Sequence, residues 1–344
     1  MLNSLESALV RIRALQAGIP EIAANSGLPV AGILGDVMPS EILRASGILP
    51  LKVPSAVFSG LPVDGKAPVD LYEWLIVPEY MKEFVQSSFQ TKNIIALPAI
   101  HGYGEQAAEA IHARINMALS AMGAGEALGV SLDSLRRSVG EFNEIRRAVR
   151  GISLLRLERN SELGNAALQE IFESALTVPS ERIRPELLKI LDILNGIPPV
   201  ETSLPRVMIA GGYCGCWSLI DEIERDSCLV TEDDLADGRR QFDITLDESS
   251  DYLHFELLNA YSYKAFPFGV RAARERFELV YSQLKNYGIE AVVFLADSLC
   301  GPRGEELEYL RARLMRAGID PIIARSADAA AVTAEYLREV HRSA

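Results

Sequence analysis

Short apolar runs alternate with amphipathic helices on both sides of one long helical stretch, and this pattern constrains the fold more than any other feature. From Ser131 to about Asn195 the apolar residues keep helical spacing. Leu135, Val139, Phe142, Ile145 and Val149 form one stripe, and "RPELLKILDILNG" forms another that stops at Gly196. Before this stretch, "VAGILGD" reads as a buried strand, "PSEILRASG" as a helix opened by Pro39 and closed by Gly47, and "ILPLKVP" as the next strand. The loop "SGLPVDGKAP" follows, then an apolar-spaced helix over "DLYEWLIVPEYMKEFVQSSF", the strand "NIIALPA" and the helix "GEQAAEAIHARINMALSAMG". After the helical stretch the alternation returns. "RVMIAGG", "CLVTEDD", "AVVFLAD" and "DPIIARS" read as strands, and "WSLIDEIERDS", "GEELEYLRARLMRAG" and "DAAAVTAEYLREVHR" as helices. Such alternation builds parallel sheets covered by helices. The sequence therefore predicts an N-terminal helix over 1–26, a first α/β domain over 27–128, a helical connector over 129–204 and a second α/β domain over 205–344.

A chain of 344 residues is long enough for two domains, and its 49% hydrophobic and 24% charged residues are those of a globular protein. The net charge of −13 would repel a phosphate backbone or an anionic membrane surface, so neither nucleic acid nor membrane is an expected partner. The start "MLNSLESALVRIRALQ" has the spacing of an amphipathic helix rather than of a signal peptide, and the expected location is cytoplasmic. In that reducing compartment the four cysteines, Cys214, Cys216, Cys228 and Cys300, are left for packing, metal binding or catalysis.

In open parallel sheets ligands bind beyond the carboxyl ends of the strands. In the second domain those ends lead into Gly211–Cys216, Glu232–Arg240 and Asp297–Arg303, which would bring Cys214, Cys216 and Cys300 to one edge. "GGYCGCW" lacks the Lys-Ser/Thr ending of a phosphate loop and the third glycine of a dinucleotide fingerprint. Gly211 and Gly212 would still let backbone N–H groups face an anion, and the two thiols could join a soft-metal centre or simply be buried. Asp233 and Asp234 in "VTEDDLADGRR" read as a paired carboxylate, a cation site or a capped loop, with Arg239 and Arg240 near enough to neutralise them. Gly211, Gly212, Asp233, Asp234 and Arg239 are accordingly the candidate substrate- or anion-binding residues. Glu41 lies one turn into a helix that follows a strand, where the helix dipole stabilises a carboxylate whatever its role. Of the four histidines, His101 in "PAIHGYGEQ" is the best placed for acid/base work, although a capping or solvent-facing role also fits. No Ser/His/Asp order, nucleophile elbow or His-Glu-x-x-His occurs.

Several segments, taken in order, resemble the 2-hydroxyacyl-CoA dehydratase and benzoyl-CoA reductase subunits. They are "GDVMPSEILRASGILPLKV", "GVSLDSLRRSVGEFNEIRR", "PRVMIAGG", "LVTEDDLADGRRQF" and the stretch from "FPFGVRAARERF" to "RAGIDPI". The resemblance implies a CoA-thioester substrate, a [4Fe-4S] cluster on three cysteines in each subunit, a second subunit and an ATP-hydrolysing activator that delivers one electron. Reduction of the thioester to a ketyl radical would then expel the hydroxyl group and acidify the β-hydrogen, which is otherwise too weakly acidic to remove. Carried over, Cys300 in "ADSLCG" matches the C-terminal cluster cysteine, and Glu41 matches a glutamate that the resemblance puts near the substrate. The two earlier ligand cysteines are missing from "IVPEYMKEF" and "LPAIHGYGE", and Ala236 stands where many relatives carry cysteine. The usual three-cysteine site is therefore incomplete in this chain. Either the chain holds no cluster, or Cys214 and Cys216 join Cys300 in a relocated one.

The expectation is two flavodoxin-like parallel-sheet domains joined by a helical connector, with the site in the cleft between them. Glu41 and His101 are the catalytic candidates, and Cys300, Cys214 and Cys216 the metal candidates. The leading functional reading is a dehydratase/reductase-type subunit, a lyase or acyl-CoA reductase of anaerobic metabolism, working as a homodimer or with a paralogous subunit. A metal-free binding paralogue of the same family and a thiol-based small-molecule enzyme are the alternatives.

Overall fold

The computed structural model describes residues 2–35, 37–53, 69–88, 93–98, 104–159, 163–200, 203–211, 217–225, 228–235, 238–263, 273–296, 304–325 and 328–343. The first part of the chain forms α1 (Leu2–Ala17), α2 (Ile19–Ser26), β1 (Val30–Ile33), α3 (Ser40–Ala45), β2 (Leu49–Lys52), β3 (Trp74–Pro78), α4 (Lys82–Ser88), β4 (Ile94–Leu97) and α5 (Gly104–Ala121). Three helices follow, α6 (Leu132–Arg159), α7 (Asn165–Thr177) and α8 (Ser180–Asn195). The last part forms β5 (Arg206–Ala210), α9 (Ser218–Glu224), β6 (Leu229–Asp234), α10 (Leu253–Tyr263), α11 (Ala273–Tyr287), β7 (Ala291–Leu295), α12 (Gly304–Arg316), β8 (Ile322–Ala324) and α13 (Ala329–Ser343).

The strands make two four-stranded sheets, ordered β2-β1-β3-β4 and β6-β5-β7-β8, with every pairing parallel. The protein is thus α/β with two parallel-sheet domains. Counted within its own sheet, each order is 2-1-3-4, the first four positions of the flavodoxin-like arrangement. Strands such as β1, β6 and β7 are buried at every position, because helices cover both faces of their sheets.

One expectation is corrected. The stretch "DLYEWLIVPEYMKEFVQSSF" is not a single helix, since Trp74–Pro78 is β3, paired with both β1 and β4, and only Lys82–Ser88 is helical. A strand covered on both faces has no polar face, so its apolar run merges with the stripe of the helix after it. The tight end of α3 lies where the sequence put it, with Gly47 at φ 79° past Ser46.

Helix α6 ties the two lobes together. Its 28 residues make it about 42 Å long at 1.5 Å per residue. Leu135 and Val139, near its start, pack in the first lobe's core with Ile42, Ile111 and Ile115. Further along, Ile145, Val149 and Ile152 share a core with α1, α7, α8 and the strands of the second sheet, among them Val207 and Ile209. Residues 244–261, which follow β6 in the chain, also bury Ile244, Leu246, Leu253, Leu257 and Tyr261 in the first lobe's core. The chain therefore crosses between lobes along α6 and returns through α10. Among the described residues no helix is long and apolar enough to cross a membrane.

Candidate functional site

A cleft lies midway along α6, where its contacts pass from one lobe to the other. It encloses about 640 Å³ of empty space, including its open mouth. Ser40 of α3 and Leu49, Pro50 and Lys52 of β2 come from the first lobe, and Gln241 and Phe242 from the single 3₁₀ turn after β6. Phe142, Ile145 and Arg146 of α6 and Tyr261 of α10 complete the centre. Lys52 ends its strand and residues 241–242 follow the end of β6, so the cleft meets the carboxyl ends of strands in both lobes. Among the described residues Arg44, Lys52 and Arg146 line it, and no carboxylate does. The basic groups face the cleft, and the carboxylates that balance Arg44 and Arg146 are set back from it.

Glu41 stands behind that wall. It is fully buried, its Oε1 accepts from Arg146 Nη2 in a buried ion pair, and its Oε2 accepts from Tyr261 Oη at 3.2 Å. Its backbone carbonyl accepts from Ser138 Oγ at 2.8 Å, which fastens α3 to α6. One turn along α6, buried Asn143 donates from Nδ2 to the Leu246 carbonyl at 2.8 Å and to Glu248 Oε1 at 2.9 Å, and so holds the segment that leads to α10. A guanidinium, a phenol and a carboxylate from three separate elements thus meet at the back of the cleft. At its edge, Arg44 pairs with Glu141 at 3.6 Å and with Glu181 at 3.3 Å, and Lys52 Nζ donates to the Gly35 carbonyl.

A second ionic cluster closes the end of β6. Glu232, Asp233 and Asp234 are the last residues of the strand rather than part of a loop, and all three are buried. Glu232 pairs with Arg239 at 2.8 Å, Asp234 pairs with Arg240, and both Asp233 oxygens accept the Arg239 backbone N–H at 3.2 Å. Burial pushes the Glu232 carboxyl up to about 8 against the pull of Arg239, while Glu232 and Asp233 hold the Arg239 guanidinium above its ordinary value in spite of its own burial. Arg239 Nη2 also donates to Tyr287 Oη at 2.9 Å. Glu232, Asp233 and Arg239 line a smaller cavity of about 350 Å³ together with Arg156, Asn165 and Trp217. The pairs set the 3₁₀ turn at Arg239–Phe242, whose far end faces the cleft, and Phe242 packs on Phe172 with ring centroids 5.4 Å apart.

Of the residues singled out from the sequence, Glu41 thus comes to the cleft, while Asp233, Asp234 and Arg239 form the separate cluster beneath it. Gly211 extends the β5–β6 ladder, its N–H donating to the Asp234 carbonyl at 3.3 Å. His101, Gly212, Cys214, Cys216 and Cys300 lie outside the described residues. The described cysteine, Cys228, is buried in the second lobe's core with Sγ 3.4 Å from the Ile223 carbonyl. No group of three or more His, Cys, Asp or Glu side chains among the described residues is placed to hold a metal. Arg146 and Tyr261 escaped the sequence reading. A signal for Arg146 was there, since it falls four residues after Phe142 and three before Val149, on the apolar stripe of α6.

The family described as 2-hydroxyglutaryl-CoA dehydratase, D-component, matches residues 78–339, well over half of the chain. No curated protein is significantly similar to it.

Proposed function

Since this chain belongs to the 2-hydroxyglutaryl-CoA dehydratase D-component family, we propose that it is the acyl-CoA-binding subunit of a dehydratase of this type and that its interlobe cleft receives the acyl thioester. The observation that carries the reading is the cleft's lining. Among the described residues Arg44, Lys52 and Arg146 line the cleft while their balancing carboxylates stand behind it or at its edge, which favours an anionic ligand, and Leu49, Pro50, Ile145, Leu176 and Phe242 offer an apolar wall for an acyl chain. The reaction proposed is one-electron reduction of the thioester followed by loss of the hydroxyl group. No cysteine precedes Cys214, so the usual three-cysteine site is incomplete in our reading. A paralogous second subunit then carries the cluster, and an ATP-dependent activator supplies the electron.

Anaerobic purification from the native host tests this. The expected result is a complex of this chain with a second subunit that holds the bulk of the iron and sulfide, and consumption of a 2-hydroxyacyl-CoA only when both subunits, ATP and the activator are present. Recovery of a lone monomer that binds no acyl-CoA would overturn it.

A further inference from the structure

We infer that Phe172 and Phe242 form the end wall of the acyl pocket and restrict this protein to short acyl chains, by closing the interlobe cleft off from the second cavity; this rests on the acyl-CoA reading of the cleft. The two spaces lie against the same helix. Leu168 and Phe172 of α7 line the second cavity, and Ala175 and Leu176 line the cleft. Their spacing puts all four on one face of α7, with Leu168 and Leu176 about 12 Å apart along the axis at 1.5 Å per residue. The boundary between the two spaces therefore falls between Phe172 and Ala175, less than one turn apart.

Phe242 stands at that boundary. It lines the cleft from the 3₁₀ turn after β6, and its ring packs on that of Phe172 with centroids 5.4 Å apart and planes tilted by 41°. Phe172 also meets the Trp217 ring edge-on, with centroids 5.5 Å apart, and Trp217 is a wall of the second cavity. The partition at this point is two side chains thick, one facing each space. The direction in which a thioester would enter follows from size and exposure. A CoA headgroup, with its nucleotide and phosphates, is too bulky to be enclosed in a cleft of about 640 Å³ that includes the open mouth, so the acyl end is the part that goes in. Arg44 at the edge is 20% exposed, whereas Ile145 and Phe242 are only 3% and 2% exposed. The phosphates thus belong at the basic edge and the alkyl end against Phe242. A chain that stops short of this ring gains burial with each methylene, and a longer one meets the ring. Behind the pair, Trp217, Ile220 and Val230 wall one side of about 350 Å³ that a longer chain would enter if the rings were absent.

The test is calorimetric titration of the full chain, with any partner that co-purifies, using free CoA, butyryl-CoA and octanoyl-CoA as probes. In the wild type octanoyl-CoA should bind no more tightly than butyryl-CoA, although unhindered burial would raise affinity about fourfold for each added methylene. Phe242→Ala should raise the octanoyl to butyryl affinity ratio by about tenfold or more while free CoA stays within about twofold. Phe172→Ala, at a residue that does not line the cleft, should raise the same ratio. Adding Leu168→Phe to Phe242→Ala refills the second cavity and should abolish the gain, a reversal that general loosening of the fold would not produce. Should Phe242→Ala fail to fold by circular dichroism, Phe242→Leu keeps most of the apolar volume and should raise the ratio less, in the same direction. An unchanged ratio in the folded Phe242 variant, or wild-type protein that binds octanoyl-CoA more tightly than butyryl-CoA, would overturn the inference and leave the acyl-CoA reading standing. If the wild-type protein binds none of the three probes, that reading fails and the inference falls with it.

Discussion

Glu41→Ala should be among the most destabilising single substitutions in this protein. The side chain is fully buried, and its removal strands the Arg146 guanidinium, only 6% exposed, without the carboxylate that balances it, and takes the acceptor from Tyr261. Breaking a buried ion pair from one side costs about 3–5 kcal/mol, because the charge left behind stays desolvated. Against a typical total stability of about 5–15 kcal/mol this is a large fraction, so the variant should lie near the limit of folding. Replacing both partners by apolar residues of similar shape, Glu41→Leu with Arg146→Met, removes the stranded charge as well as the attraction. The double variant should therefore be more stable than Glu41→Ala alone, and short of wild type by no more than the hydrogen bond that Tyr261 loses, about 1–3 kcal/mol. Urea unfolding followed by far-ultraviolet circular dichroism measures both, with the slope of the transition as the check that the unfolded states are comparable. If Glu41→Ala shifts stability by less than about 1 kcal/mol, or if Glu41→Leu and Arg146→Met are additive within about 0.5 kcal/mol, the two residues are not the coupled buried pair described.

The second ionic cluster makes its own predictions. Because the folded protein raises the Glu232 carboxyl from 4.5 to about 8, its neutral form stabilises the fold fully below the ordinary carboxyl range, and that contribution is lost as pH climbs from there through about 8. The melting temperature should therefore fall between pH 6 and pH 9, and Glu232→Gln should flatten that fall; an unchanged pH profile in the variant refutes the assignment. Gly238→Ala should lower the urea midpoint, since a Cβ there would lie 1.7 Å from Asp233 Oδ1 and drive the carboxylate off the Arg239 N–H, leaving a buried group unsatisfied at about 1–3 kcal/mol. Wild-type stability in that variant would mean that Asp233 does not hold the Arg239 backbone N–H. Ile76→Asp, at a fully buried position in the middle of β3, should prevent folding of the first lobe, as read by loss of amide-exchange protection in β1 and β4.

The fold was legible wherever strand and helix signals stood apart. "VAGILGD", "RVMIAGG" and "AVVFLAD" are short, apolar and bounded by turn residues, and each contains a strand of a parallel sheet. β3 was hidden because its five residues run with only a single 3₁₀ turn into α4, and a strand buried on both faces leaves no alternation to read. The candidate site was legible in part for a related reason. Glu41 is marked by its place after a strand, and Asp233, Asp234 and Arg239 by their crowding within a few residues. The partners that give Glu41 its role lie far away in the chain, 105 residues away for Arg146 and 220 for Tyr261, and local spacing carries no trace of such distances.

The burial of Glu41 also explains why an arginine can sit on the apolar stripe of α6. That helix must be apolar at Leu135 and Val139 to join the first lobe's core and apolar at Ile145, Val149 and Ile152 to join the second, so Arg146 falls close to where one set gives way to the other. A buried charge on this helix needs a counter-ion, as Arg156 finds in Glu224 further along, or it bears a desolvation penalty of several kcal/mol. Between the cores it can reach a cavity on one side and the carboxylate of α3 on the other. The same geometry makes the cleft depend on the spacing of the lobes. Its walls belong to α3 and β2 in one lobe and to the turn at Arg239–Phe242 in the other, with α6 as their common support. A substitution that bends α6 between Val139 and Ile145 should therefore weaken acyl-CoA binding even though it touches no ligand-facing atom. Glu144→Pro, which removes one hydrogen bond of the ladder within that interval and otherwise loses only an ion pair to Arg184 outside the cleft, should do so while the first lobe's amide protection survives, and binding that persists in this variant would show that the cleft does not rely on α6.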